Sequence, residues 1–178
     1  MVATKLEIQE LRSHLDTSDN HDLIEEIVFL AKNFPKVKEY YSVKIDEENK
    51  KKILQKYKEK IKNEFFPVKG EPKFRSSIMR KSISDFKVIS DSNNEIIDLK
   101  LSFIEYGLEF THKYGVMDIS FYNKLIDIFD EALTNIIDME CKDYFFNRCK
   151  KIVENSANIG WGFTYNMEEL FEDYYRTN

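Results

Sequence analysis

A chain of 178 residues, 42% hydrophobic and 14% aromatic, has the length and the apolar material for one domain with a sizeable core. Its formal net charge of -5 argues against a generic nucleic-acid binder, which needs a basic domain or at least a basic face. No apolar run approaches the roughly 18 residues that cross a bilayer, and the start, Met1 to Glu10, is amphipathic and charged rather than signal-like. No membrane role is expected, and the expected location is the cytoplasm.

Three prolines, five glycines and apolar residues recurring at three- and four-residue steps predict helix along nearly the whole chain. The expected fold class is all-α. Residues 1–178 form a single domain of about eight or nine antiparallel-paired helices, either a helical bundle or a short solenoid-like α–α stack. The first helix starts at a capping box, Thr4 to Glu7, and runs to Asp16. After Ser18-Asp19-Asn20, the residues Leu23, Ile24, Ile27, Val28, Leu30, Ala31 and Phe34 make a broad apolar face, so this helix is expected to pack on more than one neighbour. Pro35 ends it.

A shorter helix carries Val37, Tyr40, Tyr41 and Ile45. Across residues 49–66, Ile53, Leu54, Tyr57, Ile61 and Phe65 form a narrow stripe among seven lysines, which places that helix on the outside. The sharpest break in the sequence follows, Phe65 to Arg75, with Pro67, Gly70 and Pro72. Beyond it Phe74, Ile78, Met79, Ile83, Phe86 and Ile89 recur at helical spacing, and Ser92 with Glu95 forms a further capping box. The helix it opens is apolar around most of its circumference and is the expected central helix, closed by Gly115, with residues 120–139 as its partner. A helix over 142–156, the Gly160-Trp161-Gly162 turn and a last acidic helix from about Asn166 complete the chain.

Little chemistry stands out. Cys141 and Cys149 are eight residues apart in one helical region, about 12 Å, so they cannot bridge, and they read as reduced thiols with no metal partner nearby. Glu109 and His112 have the Glu-x-x-His spacing of di-iron bundles, but such a site needs a second copy of the motif, and the residues three positions before His14 and His21 are Leu11 and Ser18. No metal and no cofactor is expected.

Charge polarity is the clearest signal. From Lys44 to Lys87 there are 14 basic and 7 acidic residues, a local net of +7, so the remainder carries -12. One reading is a basic surface for an anionic partner, focused on Lys69, Lys73, Arg75, Arg80 and Lys81. The other is a solvated outer face. Within it, Lys73, Ser77 and Lys81 are spaced to share one helix face, and Ser76, Arg80 and Ser84 the adjacent one. The loop lacks the glycine-rich cradle of nucleotide-binding motifs. A second candidate contact is the aromatic pair Trp161 and Phe163, which reads either as a core anchor or as a binding surface.

Several segments together resemble an uncharacterised family of small bacterial helical proteins, a domain of unknown function. They are Lys38-Glu-Tyr-Tyr-Ser42, Phe65-Phe-Pro67 with Lys69-Gly70, Lys73-Phe-Arg75, Arg80-Lys81-Ser-Ile-Ser-Asp85-Phe86, Glu109-Phe-Thr with Tyr114-Gly115, Arg148-Cys-Lys-Lys-Ile152, and Ile159-Gly-Trp-Gly-Phe163. The resemblance implies a cytoplasmic helical protein and transfers no activity, cofactor or catalytic residue. Three functions stay open: a non-enzymatic interaction module with a protein partner; a nucleic-acid binder through the same basic face; and an enzyme on a phosphorylated small molecule. The last would use Arg75 and Arg80 on the anion and Glu105, Glu109 or His112 as acid or base, and it requires both groups to face one cleft.

Overall fold

The structure is a computed structural model that describes residues 8–115 and 117–176. Among these the chain forms nine α-helices and no strand: α1 (Ile8–Leu15), α2 (Asn20–Asn33), α3 (Pro35–Ile45), α4 (Glu47–Phe65), α5 (Ser76–Ile89), α6 (Asn93–Tyr114), α7 (Ile119–Asp138), α8 (Lys142–Asn155) and α9 (Phe163–Arg176). The capping box expected at Thr4 and Glu7 lies outside the described residues.

Local chemistry accounts for most boundaries. Side-chain oxygens of Asp19, Asp46 and Asp118 accept backbone N–H groups at the starts of α2, α4 and α7, satisfying donors that a helix start leaves orphaned. Pro35 opens α3 at its first turn, where a missing N–H is harmless. Gly115, at φ +98°, terminates α6 as expected. The box expected at Ser92 does not form. Ser92 makes no side-chain cap, and Ser90 takes its place, its hydroxyl donating to Glu95 at 2.9 Å and accepting the Ser92 N–H at 3.2 Å.

α6 is the axis of the molecule: α4, α5, α7 and α8 all pack against it. The substantial contacts all join helices one or two places apart in the chain, an arrangement that both an antiparallel bundle and a stack of helical pairs produce. α6 makes its most extensive contact with α7. A Cβ added at Gly107 would lie 2.7 Å from the buried Leu125 side chain, so a residue poor for helix propensity is what lets the two helices nest. One continuous hydrophobic cluster runs from Val43 in α3 to Met167 in α9.

Two expectations need correcting. α2 was expected to pack on several neighbours; it packs chiefly on α3 and has no buried residue, with Ile24 56% and Phe29 59% exposed. The helix after the proline break begins at Ser76, so Lys73 and Phe74 belong to the loop and Lys73 does not share a helix face with Ser77 and Lys81.

Candidate functional site

The loop between α4 and α5 is held by one residue, Glu64, whose neighbours Ile61 and Phe65 lie in the buried stripe of α4. The Glu64 carbonyl accepts the Lys73 and Phe74 N–H groups, both at 3.2 Å. Its carboxylate accepts the Arg75 N–H at 3.0 Å and two guanidinium hydrogen bonds at 3.0 and 2.6 Å. These hydrogen bonds from Arg75 hold the carboxyl below the usual glutamate value against the effect of its burial. Phe74 adopts a left-handed backbone, φ +49°, unusual for an aromatic residue. It persists because its ring is locked between Phe110 and Phe121, with centroids 4.7 and 5.6 Å away. Arg75 is therefore the clamp of a rigid corner.

The other basic residues singled out in the sequence are dispersed. Lys69 and Lys73 are exposed and make no ion pair among the described residues. Lys81 pairs with Asp85 at 3.3 Å, and Lys36 reaches the same carboxylate at 2.9 Å. Arg80 turns the other way, to Glu131 on α7 at 2.5 Å, with Asp127 at 3.9 Å. Much of the α4 lysine row ties helices together: Lys50 to Glu95, Lys56 to Glu39 and Lys58 to Asp98.

Arg80 opens onto the most distinctive charged constellation in the molecule, a cleft of about 250 Å³ between α5, α6 and α7. Arg80, Ser84 and Lys87 enter it from one face of α5, Lys100 from α6, and Glu131 and Asn135 from α7. The expected alignment of Arg80 with Ser84 thus holds, and Lys87 extends it by one turn. Lys100 is buried, and its ammonium donates to Asn135 Oδ1 at 2.8 Å and to the Glu131 carbonyl at 3.2 Å, with the Glu131 carboxylate also at 3.2 Å. Burial lowers the Lys100 pKa against the pull of Glu131, and the charges of Lys87 and Arg80 push it the same way. Burial would raise the Glu131 carboxyl, but hydrogen bonds from Arg80 and Lys100 more than offset it and hold it low. Three cations thus line a cleft containing one carboxylate, and Lys87 has no ion-pair partner among the described residues. Chemically, this is a fixed set of cationic, hydroxyl and amide donors suited to an oxyanion.

The residues considered for acid–base chemistry lie elsewhere. Glu105, Glu109 and His112 line a separate cleft with Lys113 and Asn155. Glu105 is five residues beyond Lys100, about 140° round α6, and accepts Arg148 at 2.7 Å. The His112 ring lies 2.8 Å from the Asn155 carbonyl, at the end of α8. The arginine group and the Glu105–His112 group do not share a cleft. Arg148 itself, reaching Asp98, Ser102 and Glu105 together, forms a closed network whose carboxylates keep its pKa raised in spite of burial.

The glycine-bracketed aromatic pair divides. Phe163 is fully buried, 4.8 Å from the Tyr122 ring, and anchors α9 to α7. Trp161, with φ +62°, is 61% exposed, and its indole donates to the Met117 carbonyl at 3.0 Å. Cys141 and Cys149 are both free thiols, and burial pushes the Cys149 thiol up to about 11. No group of metal-ligating side chains exists among the described residues, and no helix there is long and apolar enough to cross a membrane.

Sequence reasoning did not find Lys87, Lys100, Glu131 or Asn135. The available signal was Lys100 itself, a lone cation between Leu99 and Leu101 in the helix expected to be most buried. These features define an all-helical fold with a cationic cleft against its central helix. The chain belongs to the family described as "Family of unknown function (DUF6155)", which it matches over residues 6–175. No curated protein and no solved structure matches it.

Proposed function

We propose that the protein is a non-enzymatic cytoplasmic binding module that captures an acidic segment of a partner protein at the α5–α6–α7 cleft. The observation that carries this reading is the convergence of Arg80, Lys87 and Lys100 around one carboxylate. An incoming carboxylate would pair with Lys87 and relieve the repulsion that the cluster imposes on Lys100. Among the described residues, Ser84 is the one hydroxyl lining the cleft and no histidine lines it, which favours binding over catalysis. Nucleic acid fits less well, because Lys50, Lys56 and Lys58 on the basic helix are drawn to carboxylates of the protein's own helices.

The test is fluorescence anisotropy with a labelled oligoglutamate peptide and, separately, a labelled DNA duplex. Binding of the peptide is expected to weaken at least about tenfold in Lys87→Glu, roughly 1.4 kcal/mol, and to change little in Lys81→Glu, whose side chain is engaged with Asp85 on another face. Equal effects of the two substitutions, or retention of the duplex with a steep salt dependence and none of the peptide, would overturn the proposal.

A further inference from the structure

Two apolar features of the molecule lack a cover, and their charges are opposite. The first is the α1–α2 arm. Six of the exposed large hydrophobic residues, Ile8, Ile24, Ile27, Val28, Phe29 and Phe34, fall within residues 8–34. On α2, the exposed Ile24, Ile27 and Val28 and the half-buried Ala31 recur at the spacing of one helix face, with Ile27 39% and Val28 36% exposed. Residues 8–33 contain six acidic and two basic residues, a net of -4. The second feature is a groove of about 530 Å³ between α3 and α5, floored by Val37, Tyr40, Tyr41, Val88 and Ile89. Val88 is 75% exposed. Lys36 and Asp85 also line it and pair with each other at 2.9 Å; without Arg80 and Lys87, which face the anion cleft, α3 and α5 carry four basic and two acidic residues, a net of +2.

We propose that the α2 stripe of one chain docks in the α3–α5 groove of a second copy, reciprocally, giving a twofold dimer. An amphipathic helix laid into an apolar groove is a recurrent recognition mode, and here the occupant is chosen by charge. A pairing of stripe with stripe would bring two arms of -4 together, whereas stripe on groove brings -4 to +2. The chain's own stripe is poorly placed to fill this groove, because a single residue, Phe34, joins α2 to the α3 that forms one wall. Reciprocal exchange closes the assembly and covers both features in both chains. Val88 and Lys87 are consecutive on α5, about 100° apart, so the groove and the anion cleft are separate surfaces and either can fail without the other.

Sedimentation velocity of the full chain at about 10–200 µM tests the inference over the range of a weak, small interface. A monomer–dimer equilibrium that weakens as salt is raised is expected. Ile24→Asp and Val88→Asp, both at exposed positions, are each expected to yield monomer, because each places a charge in the apolar contact. An equimolar mixture of the two is expected to regain association, since the intact arm of one variant fits the intact groove of the other. Helical circular dichroism melts confirm that each variant is folded, and Ile24→Ser replaces Ile24→Asp if the latter is not. A wild type that stays monomeric, a dimer that survives both substitutions, an association that strengthens with salt, or a mixture with no recovery would each overturn the proposal.

Discussion

α6 and α2 both carry apolar residues around much of their circumference, and they stand at opposite extremes of burial. α6 contains twelve buried residues, among them Phe103 at 1% exposure, while α2 contains none. The difference is one of neighbours: α6 is enclosed by α4, α5, α7 and α8, whereas α2 has mainly α3. A broad apolar face therefore states how much cover a helix needs and leaves open where the cover comes from. In α6 it comes from the same chain. The self-docking proposal is that in α2 it comes from another copy.

The largest expected effect breaks the comparison on the α6 side. Phe103 packs on Phe65 at 5.7 Å in the centre of the core, and Phe103→Ala is expected to cost about 3–5 kcal/mol by urea denaturation, through lost transfer energy and the cavity left behind. A loss below about 1 kcal/mol would show that α6 is not the packed axis.

Next in size is the polar side of α6. Arg148→Met leaves Glu105 without its cation and Asp98 with Lys58 alone. Full burial would make that worth about 3–5 kcal/mol; with these side chains 21% and 38% exposed, about 2–3 kcal/mol is expected. Arg148→Lys is expected to recover only part of it, because one ammonium cannot span the partners of a guanidinium fork.

A third effect depends on pH. The Glu64 carboxyl is held below its usual value by Arg75, so its contribution to stability is present above the unfolded-state value near 4.5 and is lost as pH falls through the lower folded value. Glu64→Gln is expected to cost about 1–3 kcal/mol at neutral pH and to flatten the fall in stability below about pH 4.5. Equal acid sensitivity of wild type and variant, followed by urea midpoints from pH 3 to 7, would remove Glu64 from that role.

These residues also mark what the sequence could disclose. The order and approximate extent of α4, α6 and α7 were legible because hydrophobic period is a local signal, whereas the aspartates that cap α4 and α7 were not singled out. So was the outward lysine face of α4. The start of α5 was misplaced because the spacing from Phe74 to Ile78 mimics a helix turn, whereas Glu64, eleven residues back from Arg75, fixes the loop in a non-helical path. The cleft was half legible: Arg80 and Ser84 were aligned by helical spacing, but Glu131 and Lys100 join them through tertiary contacts spanning 51 and 31 residues. Lysine charge runs were ambiguous for the same reason, since only the folded chain shows which lysines meet Glu39, Glu95 and Asp98.

The smallest expected effect is the sharpest form of the comparison, because it repeats the deletion made in α6 on the other helix. Phe29 is 59% exposed and lies about 160° round α2 from the Ala31 end of the stripe. Its ring gains little from folding, so Phe29→Ala is expected to change stability by no more than about 0.5 kcal/mol, against several for Phe103→Ala. The same substitution leaves the stripe of Ile24, Ile27 and Val28 intact, so it is expected not to shift the monomer–dimer equilibrium that Ile24→Asp abolishes. Urea denaturation and sedimentation of Phe29→Ala together separate the possibilities. A stability loss above about 1 kcal/mol would mean that the far face of α2 is packed, and loss of association without loss of stability would move the docking face from the Ile24 side of the helix to the Phe29 side.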